Sequence, residues 1–101
     1  MRLSPKTLKE LSDTLSFLGN EQRINIIRSI SSEEKFAREI SEELGISRPL
    51  VNIYLKQLEK AGFVEGINRT SDEPPYLRRY YRALPFELSV NLDEIKKFTE
   101  V

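Results

Sequence analysis

Arg48, Asn52, Lys56 and Lys60 recur every four residues in the segment Ser47–Lys60, SRPLVNIYLKQLEK, with Pro49 and Ile53 beside them. At 3.6 residues per turn this polar set shares one side of a helix, and Val51, Tyr54, Leu55 and Leu58 share the other. The side chains on the polar face suit the edges of DNA bases. An Asn amide can bond adenine in bidentate fashion, an Arg guanidinium can pair with guanine, and Ile53 or Pro49 can meet a thymine methyl. Each correct contact would add about 1–3 kcal/mol of discrimination. A solvated helix face would also be polar, with Lys56 and Lys60 as ordinary surface charges. Ile53 argues against that, being apolar among polar neighbours.

A second group of cations lies further on. Arg69, Arg78 and Arg79 bracket a turn at residues 70–76 and suit phosphate contact or a narrow minor groove. Asp72 and Glu73 in the same turn would repel phosphate, and cross-strand ion pairs of small individual value are the rival use for these arginines. Arg82 points to the opposite face of a regular strand from Arg79. Arg23 can touch a phosphate or brace the helix that carries Asn52, and Lys35 is open to the same two roles. Tyr76, Tyr80 and Tyr81 can in principle stack on unpaired bases. A hydrophobic base for a hairpin is the commoner use, with Tyr81 in the core and Tyr80 half-exposed.

Composition removes much other chemistry. Sixteen basic residues balance sixteen acidic ones, so affinity for nucleic acid must come from a local patch. The absence of Cys and His excludes disulfides, thiol nucleophiles, imidazole catalysis and Cys-based zinc sites. The carboxylates show no EF-hand spacing and no nucleophile has a base beside it, so neither a metal, a cofactor nor an enzyme is expected. No apolar run is long enough for a membrane span or a signal peptide, which points to the cytoplasm. The Ile, Glu, Lys and Arg content gives a weak hint of a thermophile.

The elements that position these residues follow from caps and periodicity. Ser4 and Pro5 suit the start of a first helix running to Leu18, with Leu8, Leu11, Leu15 and Leu18 in a narrow stripe fit for pairing with another helix. Asn20 would cap a second helix, with Ile24, Ile27 and Ile30 buried and Ile26 widening the stripe. Residues 31–35 form a loop. A third helix over Arg38–Leu44 ends at Gly45, Ser47 caps the fourth, and Gly62 ends it near Ala61. Two strands, Phe63–Arg69 and Leu77–Leu84, make a hairpin around a turn rich in Pro, Ser and Asp. A last amphipathic segment puts Leu92, Ile95 and Phe98 on one side.

Short helices followed by a helix-turn-helix and a hairpin make an α+β winged helix-turn-helix, and three stretches carry a more specific resemblance. Leu18–Ile27, LGNEQRINII, resembles the start of the second helix in ArsR-type regulators. Ile40–Val64 is similar to that family's core pattern, and RRYYRALP (Arg78–Pro85) resembles its second wing strand. The likeness spans residues 15–84. Metal-sensing members carry Cys, or His with acidic residues, which this chain lacks, so soft-metal sensing is not implied. Asn52 and Tyr54 replace the Ser and His of many relatives, which implies a different operator.

The resemblance implies one DNA-binding domain over residues 1–101, with the helix-turn-helix at 36–62 and the wing at 63–84. Dimerisation helices at 1–18 and 86–101 would flank a three-helix core. The expected function is sequence-specific binding of double-stranded DNA as a homodimeric transcriptional regulator, most often a repressor in this family. Ser47, Arg48, Pro49, Asn52, Ile53, Lys56, Lys60, Arg69, Arg78 and Arg79 are the candidate DNA contacts. Leu8, Leu11, Leu15, Leu18, Leu92, Ile95 and Phe98 are the candidate dimer face, an internal pairing of the two terminal helices being the alternative. The main rival function is a winged helix that binds protein within the transcription machinery, supported by the zero net charge.

Overall fold

The computed structural model describes residues 1–98. Residues 99–101 lie outside the described residues, and with them the end of the segment 86–101 expected to dimerise. The chain contains α1 (Leu8–Leu18), α2 (Glu21–Ser29), β1 (Lys35–Phe36), α3 (Ala37–Leu44), α4 (Arg48–Ala61), β2 (Val64–Thr70), β3 (Leu77–Ala83) and α5 (Leu92–Lys96). It divides into two compact units, one of Glu21–Leu84 and the other of Met1–Asn20 with the segment from Pro85 onward.

In the first unit α2, α3 and α4 close around Ile26, Ile30, Ile40, Val51, Leu55 and Leu58, with Phe63 and Val64 entering from the start of the hairpin. The buried side of α2 differs from the expected one. Ile26, Ser29 and Ile30 are buried, whereas Ile24 is exposed and Ile27 half-buried. A helix face repeats at three and four residues, so choosing Ile26 and Ile30 as inward turns Ile24 out to the side. The helix-turn-helix follows its sequence signals closely. Gly45 closes α3 in the left-handed conformation at φ 66°, where a Cβ would be strained. Ser47 Oγ then accepts the Leu50 N–H, Pro49 sits in the first turn, and Gly62 at φ 87° ends α4.

The sheet has an addition that periodicity does not reveal. Lys35, expected in the loop, and Phe36, expected to open the helix-turn-helix segment, form a two-residue strand against β3, giving the antiparallel order β1-β3-β2. Two residues are too short to show an alternating pattern, and only the partner strand defines them. In the hairpin Gly66 faces Tyr81 and Asn68 faces Arg79. Pleating therefore puts Gly66, Asn68, Arg79 and Tyr81 on one face, and Ile67, Arg69, Arg78 and Tyr80 on the other.

In the second unit α1 starts at Leu8, four residues after the expected cap. Thr7 is the cap: its Oγ1 accepts the Glu10 N–H at 3.1 Å, and Glu10 reaches back to accept the Lys6 N–H at 2.7 Å. This reciprocal pair satisfies two free N–H groups and outcompetes Ser4. The residues before it are used elsewhere. Leu3 donates its N–H to the Glu87 carbonyl and Glu87 donates to the Met1 carbonyl, both at 2.9 Å, making a parallel bridge at Arg2. Asn91 caps α5, which is only five residues long. Leu11 is buried, Leu18 and Phe98 are half-buried, and Leu8, Leu15, Leu92 and Ile95 remain exposed. No helix among the described residues is long and apolar enough to cross a membrane.

Candidate nucleic-acid interface

Val51, Leu55 and Leu58 anchor α4 in the core, which leaves Ser47, Arg48, Pro49, Asn52, Ile53, Lys56 and Lys60 exposed along its other side. Ile53 keeps half of its surface open, at 53 %. Among the described residues, the side chains of Arg48, Asn52, Lys56 and Lys60 enter no hydrogen bond or ion pair. Their donors and acceptors are free for a partner.

The face is held at a fixed angle by α2. Arg23 Nη2 donates to Gln57 Oε1 at 2.9 Å, its guanidinium lies 5.6 Å from the centre of the Tyr54 ring, and Tyr54 donates its hydroxyl to Gln22 Oε1 at 2.6 Å. Of its two open roles, Arg23 takes the bracing one. Lys35 instead ties the end of α2 to α3. Its ammonium donates to the Ser29 carbonyl and to Glu43 Oε1, both at 2.7 Å, while the Ser29 hydroxyl donates to the same carboxylate at 2.8 Å. These bonds from Lys35 and Ser29 hold the Glu43 carboxyl below the usual carboxylate range.

The wing arginines divide into two kinds. Arg69 forms a bidentate pair with Glu34 in the loop before β1, Nη2 lying 2.9 Å from Oε2, and this holds the Glu34 carboxyl below its ordinary value. Arg82 forks onto Glu65 across the strands at 2.7 and 2.9 Å. Arg79 crosses to α4, donating to Glu59 at 2.5 Å and to Asn68 Oδ1 at 3.2 Å, with its guanidinium 5.7 Å from the Tyr81 ring centre. Arg78 has no ion pair among the described residues; its guanidinium lies over the Phe36 ring, 4.3 Å from the centre. Tyr81, expected in the core, is half-exposed on the α4 side, where its cross-strand neighbour Gly66 has no side chain to cover it. Tyr80 is half-buried, as expected, with its ring edge-on to Phe36 at 5.4 Å.

Gly66 makes the Arg79 crossing possible. A Cβ built on Gly66 would come within 2.5 Å of the Arg79 guanidinium, so any side chain there must push Arg79 aside. The Arg79–Glu59 pair is partly exposed, 41 % and 35 %, and such pairs stabilise by about 0.2–1 kcal/mol. Glu59→Gln is therefore expected to cost roughly that amount in the wild-type background and almost nothing in a Gly66→Ala background. Urea unfolding of the four proteins measures the cycle, and an equal cost in both backgrounds would disconnect Gly66 from the pair.

Between the hairpin and the first turns of α3 and α4 lies an open groove of about 440 Å³, bounded by Phe36, Arg38, Arg48, Asn52, Arg78, Arg79 and Tyr81 among others, with no carboxylate in its wall. A neighbouring cleft joins Asn52, Ile53, Lys56, Glu59, Arg79 and Tyr81. The structure thus places Arg48, Asn52, Arg78 and Arg79 in the wall of the groove, adds Ile53 and Lys56 through the neighbouring cleft, and leaves Ser47, Pro49, Lys60 and Arg69 outside both. Arg38 and Phe36 belong to the groove and were missed as site residues. The signal available was an Arg two places after an aromatic at the start of a helix, which by spacing alone looks like a surface charge. No cluster of three or more acidic side chains able to hold a metal occurs among the described residues.

This geometry agrees with what the chain resembles. Residues 20–66 match the model of the bacterial regulatory proteins of the arsR family. An uncharacterized HTH-type transcriptional regulator of Methanocaldococcus jannaschii is 34% identical over 86 residues, covering 82% of this chain and 85% of the relative. Among solved structures, the reduced form of the transcriptional regulator YodB from B. subtilis superposes with a TM-score of 0.61 at 26% identity, covering 81% of this chain and 74% of that one. The fold recurs in an ArsR-like regulator from Rhodococcus sp. RHA1, with a TM-score of 0.60 at 24% identity over 88% of this chain and 72% of that one. It recurs again in a homodimeric winged helix-turn-helix DNA-binding domain from Mycobacterium bovis, with a TM-score of 0.60 at 24% identity, covering 75% of this chain and 65% of that one. The core helices, the hairpin and these relatives agree: the chain belongs to the ArsR-type family of winged helix-turn-helix transcriptional regulators.

Proposed function

We propose that this protein is a homodimeric, sequence-specific reader of double-stranded DNA that represses transcription by occluding a promoter. In this reading α4 enters the major groove, with Asn52, Ile53 and Arg48 at the base edges and Ser47, Pro49, Lys56 and Lys60 along the adjoining strand. The hairpin lies on the backbone or the minor groove. Its workplace would be the cytoplasm, where bacterial and archaeal DNA is found. The observation that carries the reading is the outward side of α4, where Arg48, Asn52, Lys56 and Lys60 have no internal partner while Arg23 and Tyr54 fix the helix.

Dimerisation is supported by the exposure of Leu8, Leu15, Leu92 and Ile95 within one unit, and by the homodimeric state of the similar M. bovis domain. Two-fold symmetry would set two recognition helices about 34 Å apart, one turn of duplex. Asn52→Ala is expected to weaken binding to the selected operator by about 1–3 kcal/mol, roughly 5- to 150-fold, and binding to unrelated duplex far less. Fluorescence anisotropy on both DNAs measures it. Equal losses would remove Asn52 as a base reader.

A second reading has one specific observation behind it. Arg69, Arg79 and Arg82 are engaged by Glu34, Glu59 and Glu65, which leaves the wing poorer in free cations than its sequence suggests. That would suit a module that binds protein rather than DNA. Salt separates the two: duplex affinity of a DNA reader falls steeply from low to moderate salt, and a protein-binding module has no duplex affinity to lose.

A further inference from the structure

We infer that Arg38 and Arg78, both laid against the Phe36 ring, form a paired clamp for a backbone phosphodiester of the bound DNA, with Phe36 as the residue that positions them. The inference rests on the DNA-binding reading and adds two residues and a mechanism to it. The Arg38 guanidinium lies 5.5 Å from the ring centre and that of Arg78 4.3 Å. Contact with an aromatic face attracts a cation without neutralising it, so both charges persist. Among the described residues Arg38 makes one loose ion pair, with Glu42 at 3.8 Å, and Arg78 makes none.

Arg38 and Arg78 thus bring two cations against one ring at the edge of the groove. The groove they line has no carboxylate in its wall, and Arg48 faces it from the start of α4. An arginine's planar fork matches phosphate oxygens in bidentate fashion, which makes phosphodiester the chemistry that fits. The other wing arginines contrast with this pair, since Glu34, Glu59 and Glu65 already hold Arg69, Arg79 and Arg82. Pairing of Phe36 with Tyr80 in the β1–β3 ladder carries the ring to the edge of the groove, beside Arg78.

The test is the salt dependence of duplex binding by the full chain, with Arg38→Gln, Arg78→Gln, Arg78→Lys and the remote Arg82→Gln compared with wild type. Each phosphate contact contributes about 0.9 to the slope of log K against log salt. Arg38→Gln and Arg78→Gln are each expected to flatten the slope by about one, Arg78→Lys to restore most of it, and Arg82→Gln to leave it unchanged. Phe36→Leu, which keeps apolar bulk without a π face, is expected to weaken binding at low salt with the slope partly flattened. Wild-type slopes in both Gln variants would overturn the clamp while leaving the DNA reading intact. Absence of duplex binding by wild type itself would overturn both.

Discussion

A chain carrying both Leu15→Glu and Ile95→Glu is expected to sediment as a monomer and to bind a two-half-site operator roughly 10²–10⁴-fold more weakly than wild type. Both side chains are exposed within their own unit, 43 % and 46 %, so a carboxylate there leaves subunit packing untouched. Across the proposed two-fold axis the same carboxylate would meet its own copy in an apolar contact, where an unpaired charge is strongly unfavourable. The loss at the operator comes from losing the second, tethered half-site, not from any change in α4. Affinity for an isolated half-site should therefore stay within a few-fold of wild type. Analytical ultracentrifugation with anisotropy on one- and two-half-site duplexes decides it. A double variant that remains dimeric would place the interface elsewhere, with Leu15 and Ile95 left as surface residues.

Leu55→Ala is expected to lower the unfolding free energy by about 2–5 kcal/mol, the range seen when a buried leucine leaves a cavity. Leu55 has no accessible surface, and it shares the core with Ile26, Ile40, Val51 and Leu58 from three helices. In a domain of this size each 1 kcal/mol moves the melting temperature by about 4–8 °C, so the transition should fall on the order of 10 °C or more. DNA affinity at a temperature where the variant is folded should change little, because Leu55 faces away from the groove. A loss under about 1 kcal/mol would mean that this core collapses around the gap.

The fold was legible where local rules act alone. Gly45 marks the end of the third helix, and Ser47, Pro49 and Gly62 mark both ends of the fourth, each through a local property of its own, whereas the third helix starts at Ala37, one residue before the expected Arg38. Periodicity also separated Val51, Leu55 and Leu58 from Asn52, Ile53 and Lys56. It failed where two local choices compete and tertiary packing decides. Ser4 and Thr7 are both acceptable caps, and the winner is settled by Glu10, three residues after Thr7. On α2, Ile24 and Ile26 are equally apolar, and only the facing helices select Ile26.

The site divides the same way. Which residues of α4 face outward follows from a period, so Asn52, Ile53 and Lys56 were found. Which wing arginines keep their charge available depends on carboxylates far away in sequence. Glu34 lies 35 residues before Arg69, and Glu59 lies 20 before Arg79. No spacing rule links them. Phe36 and Arg38 stayed hidden for a similar reason, because the ring acquires its role only through β1, a strand defined by its partner.

The Glu59–Arg79 contact over Gly66 bears on how such a protein could be retargeted. The recognition helix and the hairpin are coupled through one helix residue and two strand residues. A helix transplanted alone from a relative that lacks a carboxylate at position 59 would strand Arg79 without its partner. The transferable cassette is therefore longer than a single helix: it runs from the cap at Ser47 through Arg79. By the same reasoning, drift at position 59 is constrained by two sites in the hairpin, so new operator preferences would arise most readily at Asn52, Ile53 and Lys56, whose side chains make no hydrogen bond or ion pair among the described residues.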